Sequence, residues 1–271
     1  MNKLEEKLSS LKSANKKALA AYLVAGDPDI STTLELMHSF VDAGVDIIEV
    51  GVPFTDPIAD GPVIQKAHDR ALKNSISLSN IIDMVKLFRK KDKETPVILM
   101  GYLNNFISHI DLIQKSDKDG VDAILVVDVP GELKLNDYGI DNPNINVISL
   151  ISPTTKDDRV SKIAQNSSGF IYYVTLRGVT GSSNLNIDEI KRNIENIKSF
   201  SDLPTLAGFG IKTADDAKNL ASCSDGVIIG SSIVKMIEEK SESKEFNEIK
   251  DYINFINNQE SDLLELIAYM E

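Results

Sequence analysis

The stretch VDIIEVGVPFTDPIADGP, residues 45–62, changes character halfway. Residues 45–53 form an almost unbroken β-branched apolar run, the pattern of a strand buried on both faces. The following Pro, Asp and Gly residues form a loop, and an amphipathic helical pattern begins at 63. A strand that passes through a loop into a helix is one β-then-α unit. One residue is out of place in it. Glu49 lies among Ile47, Ile48, Val50 and Val52, where a charge is costly.

The same unit recurs along the whole chain. Apolar strand runs are predicted at 18–26, 45–53, 96–102, 121–130, 146–153, 169–176, 204–210 and 225–232. Helices are predicted at 31–43, 63–73, 78–92, up to about 118, 131–140, 156–166, 187–198 and 213–222, with more from near 233 to the end. Eight such units within 271 residues fit a closed parallel (β/α)8 barrel. The reading is a single TIM-barrel domain over 1–271, with an extra N-terminal helix and an extended helical tail. An open doubly wound sheet fits less well, because the units run on without a break between halves.

Composition narrows the classes of function. Lys and Arg number 29 against 41 Asp and Glu, a formal net charge of −12. Such a chain repels nucleic acid and anionic membranes, so an anionic ligand must be held by local donors. Cys223 is the only cysteine, which excludes an intrachain disulfide and suits a reducing cytoplasm. No apolar run reaches the length of a membrane helix, and the charged N-terminus lacks a signal core.

A parallel barrel gathers its chemistry at the C-terminal strand ends. There Glu49 would point into a greasy mouth, where desolvation raises its pKa and suits it to acid–base work. Asp60, in a Gly- and Pro-flanked loop expected to be exposed, should stay ionised. Two carboxylates in unlike surroundings can divide acid and base roles. The competing interpretation has Glu49 paired with a core hydroxyl and Asp60 shaping a turn.

Glycine clusters follow the last three strands, GVTG at 178–181, GFG at 208–210 and GSS at 230–232. Such loops, with a helix N-terminus, suit a phosphate. No strand end carries a lysine, so Schiff-base chemistry lacks a nucleophile. His38, His68 and His109 fall on helices or a helix edge and read as packing or surface residues, so no metal site is expected. The inventory leaves a phosphorylated substrate handled by carboxylates.

Residues 49–61, EVGVPFTDPIADG, closely resemble the signature of the tryptophan synthase alpha subunit family. AGDPD at 25–29, GVTG, GFGI at 208–211 and GSSIVK at 230–235 are similar to further blocks of that family, in the same order. The resemblance covers about residues 15–240. It implies a lyase that cleaves indole-3-glycerol phosphate to indole and glyceraldehyde 3-phosphate, with Glu49 and Asp60 catalytic and Tyr172 and Thr180 supporting. It also implies phosphate binding by Gly181, Phe209, Gly210, Gly230 and Ser231. Indole contacts would come from Tyr22, where a phenylalanine is common, and from Met100, Leu125 and Ile228. Pro53, Asp56, Pro57 and Asn104 match contact loops for a beta subunit, which implies an αββα complex. Pyridoxal phosphate would belong to that partner and no cofactor to this chain. The alternatives are a free-standing indole-3-glycerol-phosphate lyase and another phosphate-binding barrel enzyme.

Overall fold

The structure, a computed structural model, describes residues 2–175, 186–208, 214–243 and 245–268. Eight parallel strands close into a barrel in chain order, each hydrogen-bonded to the next and the last to the first. They are β1 Ala18–Val24, β2 Ile47–Gly51, β3 Val97–Gly101, β4 Ala123–Val126, β5 Asn146–Ile151, β6 Ile171–Val174, β7 Thr205–Gly208 and β8 Gly226–Ile229. All eight expected strands are present, each shorter than its apolar run because the run extends into the flanking turns.

The side chains divide into two layers, as the period-two alternation of a strand requires. Ala18, Ala20, Ile47, Ile98, Ala123, Leu125, Ile148, Tyr172, Leu206 and Ile228 fill the barrel. Their neighbours in sequence, such as Leu19, Ile48, Leu99, Ile124 and Val227, face the helices. With both faces covered, every residue of β1 and β2 is buried.

The surrounding helices are α2 Ile30–Asp42, α4 Leu78–Phe88, α7 Asp157–Asn166, α8 Ile187–Phe200, α9 Ala214–Cys223 and α11 Asn247–Ala268, besides the shorter α5 Leu103–Ile107 and α6 Ile110–Ile113. Their starts carry the expected caps. The Asp29 carboxylate accepts from Thr32 N at 2.7 Å, and Ser77 and Asn80 form a capping box for α4. The helix expected at 131–140 is reduced to a single 3-10 turn, Leu135–Tyr138. That segment is rich in Asn, Asp and Gly, and Gly139 closes it with φ +81°, a conformation that ends helices.

Two helices lie outside this ring. The N-terminal α1, Lys3–Ser13, plugs the bottom of the barrel with Leu4 and Leu8. At its start Lys3 Nζ reaches Asp122 Oδ1 at 3.1 Å, and Asn146 Nδ2 donates to Glu5 Oε1 at 2.9 Å. At the opposite end α3, Pro62–Lys73, packs on β1 and on α10, Ser231–Lys240. Its Ala67 and Ala71 join Tyr22, Val24 and Val234 in a small apolar cluster. Arg70 clamps it there. The guanidinium donates to both oxygens of buried Asp27, at 2.7 and 2.8 Å, and contacts Glu238 of α10 at 3.0 Å. The helix that follows the signature loop is thereby held across the barrel mouth.

Candidate active site

Glu49 stands in the middle of β2, level with Tyr22 of β1 and Ile98 of β3. Strand alternation turns it into the barrel with Ile47, and it is 1% exposed. Its Oε1 has no hydrogen-bond partner. Burial alone pushes its pKa up to about 8. The reading in which Glu49 merely satisfies a core hydroxyl has no such bond to rest on.

Asp60 departs from expectation. Its loop is anchored over the mouth, and its side chain is only 8% exposed. The Tyr102 hydroxyl donates to Asp60 Oδ2 at 2.7 Å while accepting from Ala59 N at 3.0 Å. Phe54 stacks on the Tyr102 ring at 4.8 Å between centroids. Gln65 of α3 donates to the Asp60 carbonyl at 2.8 Å. Glycines and prolines marked a turn correctly, but they carried no sign that β3 and α3 would fold over it.

Both carboxylates act on the same two tyrosines. The pKa of the Tyr22 hydroxyl is raised by burial first, then by the charges of Asp60 and Glu49. That of Tyr172 is raised by burial, then by Glu49 and Asp60. Tyr22 therefore feels Asp60 the more strongly, and Tyr172 feels Glu49. Each ring lies over a glycine. A Cβ on Gly51 would sit 2.2 Å from Tyr22 Oη, and one on Gly208 would sit 2.5 Å from Tyr172 Oη. The two rings fit only because these strand positions carry no side chain.

Among the other expected residues, Met100 of β3 pairs with Leu125 of β4 and is partly exposed, whereas Leu125 and Ile228 are buried in the barrel. Gly230 caps α10 without a side-chain bond, with Ser231 as its first residue. A Cβ on Gly230 would lie 3.5 Å from the Tyr22 ring, so this helix start opens beside the cavity. Thr180, Gly181, Phe209 and Gly210 lie outside the described residues. Asp56 and Asn104 are exposed and Pro57 is partly so. Pro53 is buried, its carbonyl accepting from Asn105 Nδ2 at 3.1 Å. It shapes the loop from within, and its burial leaves Asp56, Pro57 and Asn104 as the surface the loops offer.

The sequence reading missed two residues that meet Asp60. Tyr102 directly follows β3, and His68 Nε2 lies 3.4 Å from Asp60 Oδ2. His68 is buried, whereas His109 is exposed and His38 stacks on Phe88. A usable signal existed for His68, because it lies within the apolar stripe Ile64, Ala67, Ala71 of its helix, four residues after Ile64.

A closed parallel barrel that brings a buried glutamate, a second carboxylate and two tyrosines under each other's influence has the framework of a barrel enzyme. Comparison with known proteins makes this specific. The chain belongs to the tryptophan synthase alpha chain family, whose model matches residues 8–263. A tryptophan synthase alpha chain of Neisseria meningitidis serogroup B is 50% identical over 230 residues, spanning 82% of this chain and 86% of that one. That of Nitrosomonas europaea is 44% identical over 242 residues and spans 88% of each chain. The crystal structure of the alpha subunit from Legionella pneumophila strain Paris superposes with a TM-score of 0.88 at 38% identity, covering 97% of this chain and 99% of that one.

Membership gives the chain the alpha-subunit role, that of a lyase in tryptophan biosynthesis. The family has no cofactor of its own, pyridoxal phosphate belonging to the beta subunit, and it implies such a partner. Among the described residues no helix is long and apolar enough to cross a membrane.

Proposed function

We propose that this chain, a single barrel domain, cleaves indole-3-glycerol phosphate to indole and glyceraldehyde 3-phosphate in a retro-aldol reaction. The observation that carries this is the state of Glu49. It is fully buried, unpaired at Oε1 and pushed up to about 8, so it holds a proton at neutral pH, and it acts on the same two tyrosines as Asp60.

An aldol-type cleavage needs an electron sink, and the indole ring can be that sink. The Glu49 carboxylic acid donates its proton to ring carbon C3, which turns the ring into an iminium. The bond between C3 and the hydroxyl-bearing side-chain carbon then breaks. Its electron pair returns to the ring and restores the aromatic indole. The side-chain hydroxyl becomes the aldehyde, and its proton passes to the Glu49 carboxylate, which ends as it began. Asp60 accepts a hydrogen bond from the ring N–H and stabilises the positive charge that develops there. This interaction strengthens toward the transition state, as catalysis requires.

Tyr22 and Tyr172 would wall the indole pocket with Met100, above buried Leu125 and Ile228. Gly230 and Ser231 at the start of α10 would hold phosphate through backbone N–H groups and the helix dipole, together with Gly181, Phe209 and Gly210. Thr180 would bond Asp60 when its loop closes. The loops carrying Asp56, Pro57 and Asn104 would dock on the beta subunit in an αββα assembly in the cytoplasm.

The test is indole release from indole-3-glycerol phosphate by the purified chain, with and without added beta subunit. Glu49→Gln should lower release by about 100-fold or more in both conditions, the scale on which a positioned acid–base group acts. Release within a few-fold of the parent would remove Glu49 from the chemistry.

A further inference from the structure

We propose that His68 is a positioning residue that holds Asp60 in its working orientation. The inference deepens the retro-aldol reading and rests on it. His68 lies on α3, is 2% exposed, and has each ring nitrogen committed to one side of the signature loop. Nδ1 accepts from the Phe54 backbone N–H at 3.2 Å. A nitrogen that accepts carries no proton, so the imidazole is the Nε2–H tautomer. Nε2 in turn lies 3.4 Å from Asp60 Oδ2, within ion-pair reach but short of hydrogen-bond geometry, and bonds to nothing else. A buried N–H with a single carboxylate in reach is directed at that carboxylate, because leaving it unpaired is costly.

One ring thus faces both ends of the loop, bonded to Phe54 near its start and directed at Asp60 at its finish. The frame is rigid, since α3 is fixed by the Arg70 pair with Asp27. Tyr102 already donates to the same Oδ2 at 2.7 Å. With Tyr102 bonded to Oδ2 and His68 Nε2 facing the same oxygen, Oδ1 is left for the substrate N–H. The two side chains also fix the rotation of the carboxyl group, so that Oδ1 need not reorganise when the ring becomes cationic.

His68→Gln and His68→Leu separate positioning from packing. Glutamine Nε2 is as many bonds from Cα as histidine Nε2, so it keeps a donor for Asp60. Leucine keeps apolar bulk and loses the donor. In indole release with added beta subunit, His68→Leu is expected to lower kcat about tenfold with KM changed less than threefold, and His68→Gln to stay within threefold of the parent. A folded His68→Leu with kcat within twofold of the parent overturns the proposal. So does an equal loss in both variants, which marks a packing role. Should His68→Leu not fold, His68→Gln decides alone, and a folded variant losing more than tenfold in kcat overturns it. Asp60→Asn keeps the failures apart. If it retains turnover, the retro-aldol reading falls and this inference with it. If it is inactive beside a normal His68→Leu, only the role of His68 falls.

Discussion

Tyr22 and Glu49 stand opposite one another on adjacent strands, partners in the register of β1 and β2. Both are buried, and burial first, then the charge of Asp60, pushes the Tyr22 hydroxyl well above the usual phenol range. Negative charge in this cavity is therefore penalised by desolvation and by the neighbouring Asp60. Burial opposes positive charge as well, and the Asp60 carboxylate is what offsets that cost for a cation. A ring that becomes cationic on protonation is stabilised there, whereas an enolate or other anion would not be. Asp60 thus suits the site to the proposed cationic route of cleavage.

The first prediction concerns pH and stability. Folded Glu49 binds its proton up to about 8, against 4.5 for the free side chain. The native state holds this proton more tightly than the unfolded chain does. The associated stability is fully present below about 4.5 and is lost as pH rises through about 8. At about 1.4 kcal/mol for each tenfold change in proton affinity, the whole effect is roughly 5 kcal/mol. Urea unfolding at a series of pH values should show the parent losing several kcal/mol relative to Glu49→Gln between mildly acid and mildly alkaline solution. Parallel curves for the two proteins would show that Glu49 is not desolvated.

The second prediction tests the contact of Tyr22 with Gly51. A Cβ at Gly51 would meet Tyr22 Oη at 2.2 Å and Cζ at 2.7 Å, too close for any side chain to be added without moving the ring. Gly51→Ala should cost about 1–3 kcal/mol, the usual scale of overpacking, and should lower activity by shifting Tyr22 within the cavity. Tyr22→Leu removes the colliding atoms, so the double variant should recover part of the stability lost. Thermal unfolding of the four proteins closes the cycle, and strict additivity would refute the contact.

The third prediction concerns the partner surface. Ile58 is 76% exposed and adjoins Pro57 in the loop proposed to dock on the beta subunit, so it would be covered in that complex. Ile58→Asp should raise the concentration of beta subunit needed for half-maximal stimulation by about tenfold or more, the effect expected of a charge set into an apolar contact. Indole release by the chain alone should change less than twofold. A titration indistinguishable from the parent would place the contact elsewhere.

The legibility of this molecule follows from the range of its interactions. Strands such as β2 were readable because burial on both faces writes the same apolar run wherever it occurs. Glu49 was readable because a charge inside such a run has few explanations. The 131–140 segment was misread as a helix because its apolar residues, Leu133, Leu135 and Ile140, imitate helical spacing while Gly139 and the Asn-rich flanks do not. Asp60 was placed in an exposed loop because local residues suggested one. Its cover comes from Tyr102, 42 residues away, and from a helix whose position depends on Arg70 finding Asp27 across 43 residues. No local pattern encodes such pairings, whereas the apolar stripe of its helix marks His68 as buried without naming Asp60 as its neighbour.

The last prediction concerns the closed end of the barrel. Asp122 is 3% exposed and accepts from Lys3 Nζ at 3.1 Å, Arg89 Nη2 at 2.7 Å and Val97 N at 2.9 Å. It joins the N-terminal plug to the end of α4 and the start of β3. Arg89 keeps three carbonyl contacts without it, two to Gly120 O and one to Thr95 O. Its charge would keep the longer contact to Asp92 Oδ1 at 3.6 Å, but the buried Val97 N–H would lose its acceptor. Asp122→Ala should therefore cost about 1–3 kcal/mol, the scale for leaving a buried donor unpaired. Lys3 is partly exposed, so Lys3→Ala should cost less than about 1 kcal/mol. The contrast is informative because the two variants remove opposite ends of one salt bridge. Equal losses would mean that Asp122 acts mainly through Lys3 and the plug, and that the bond to Arg89 contributes little. Both variants lie at the end of the barrel opposite Glu49, so kcat for indole release should stay within twofold of the parent in the fraction that is folded. A larger fall would show that the plug and the mouth are mechanically coupled through the inner layer of side chains.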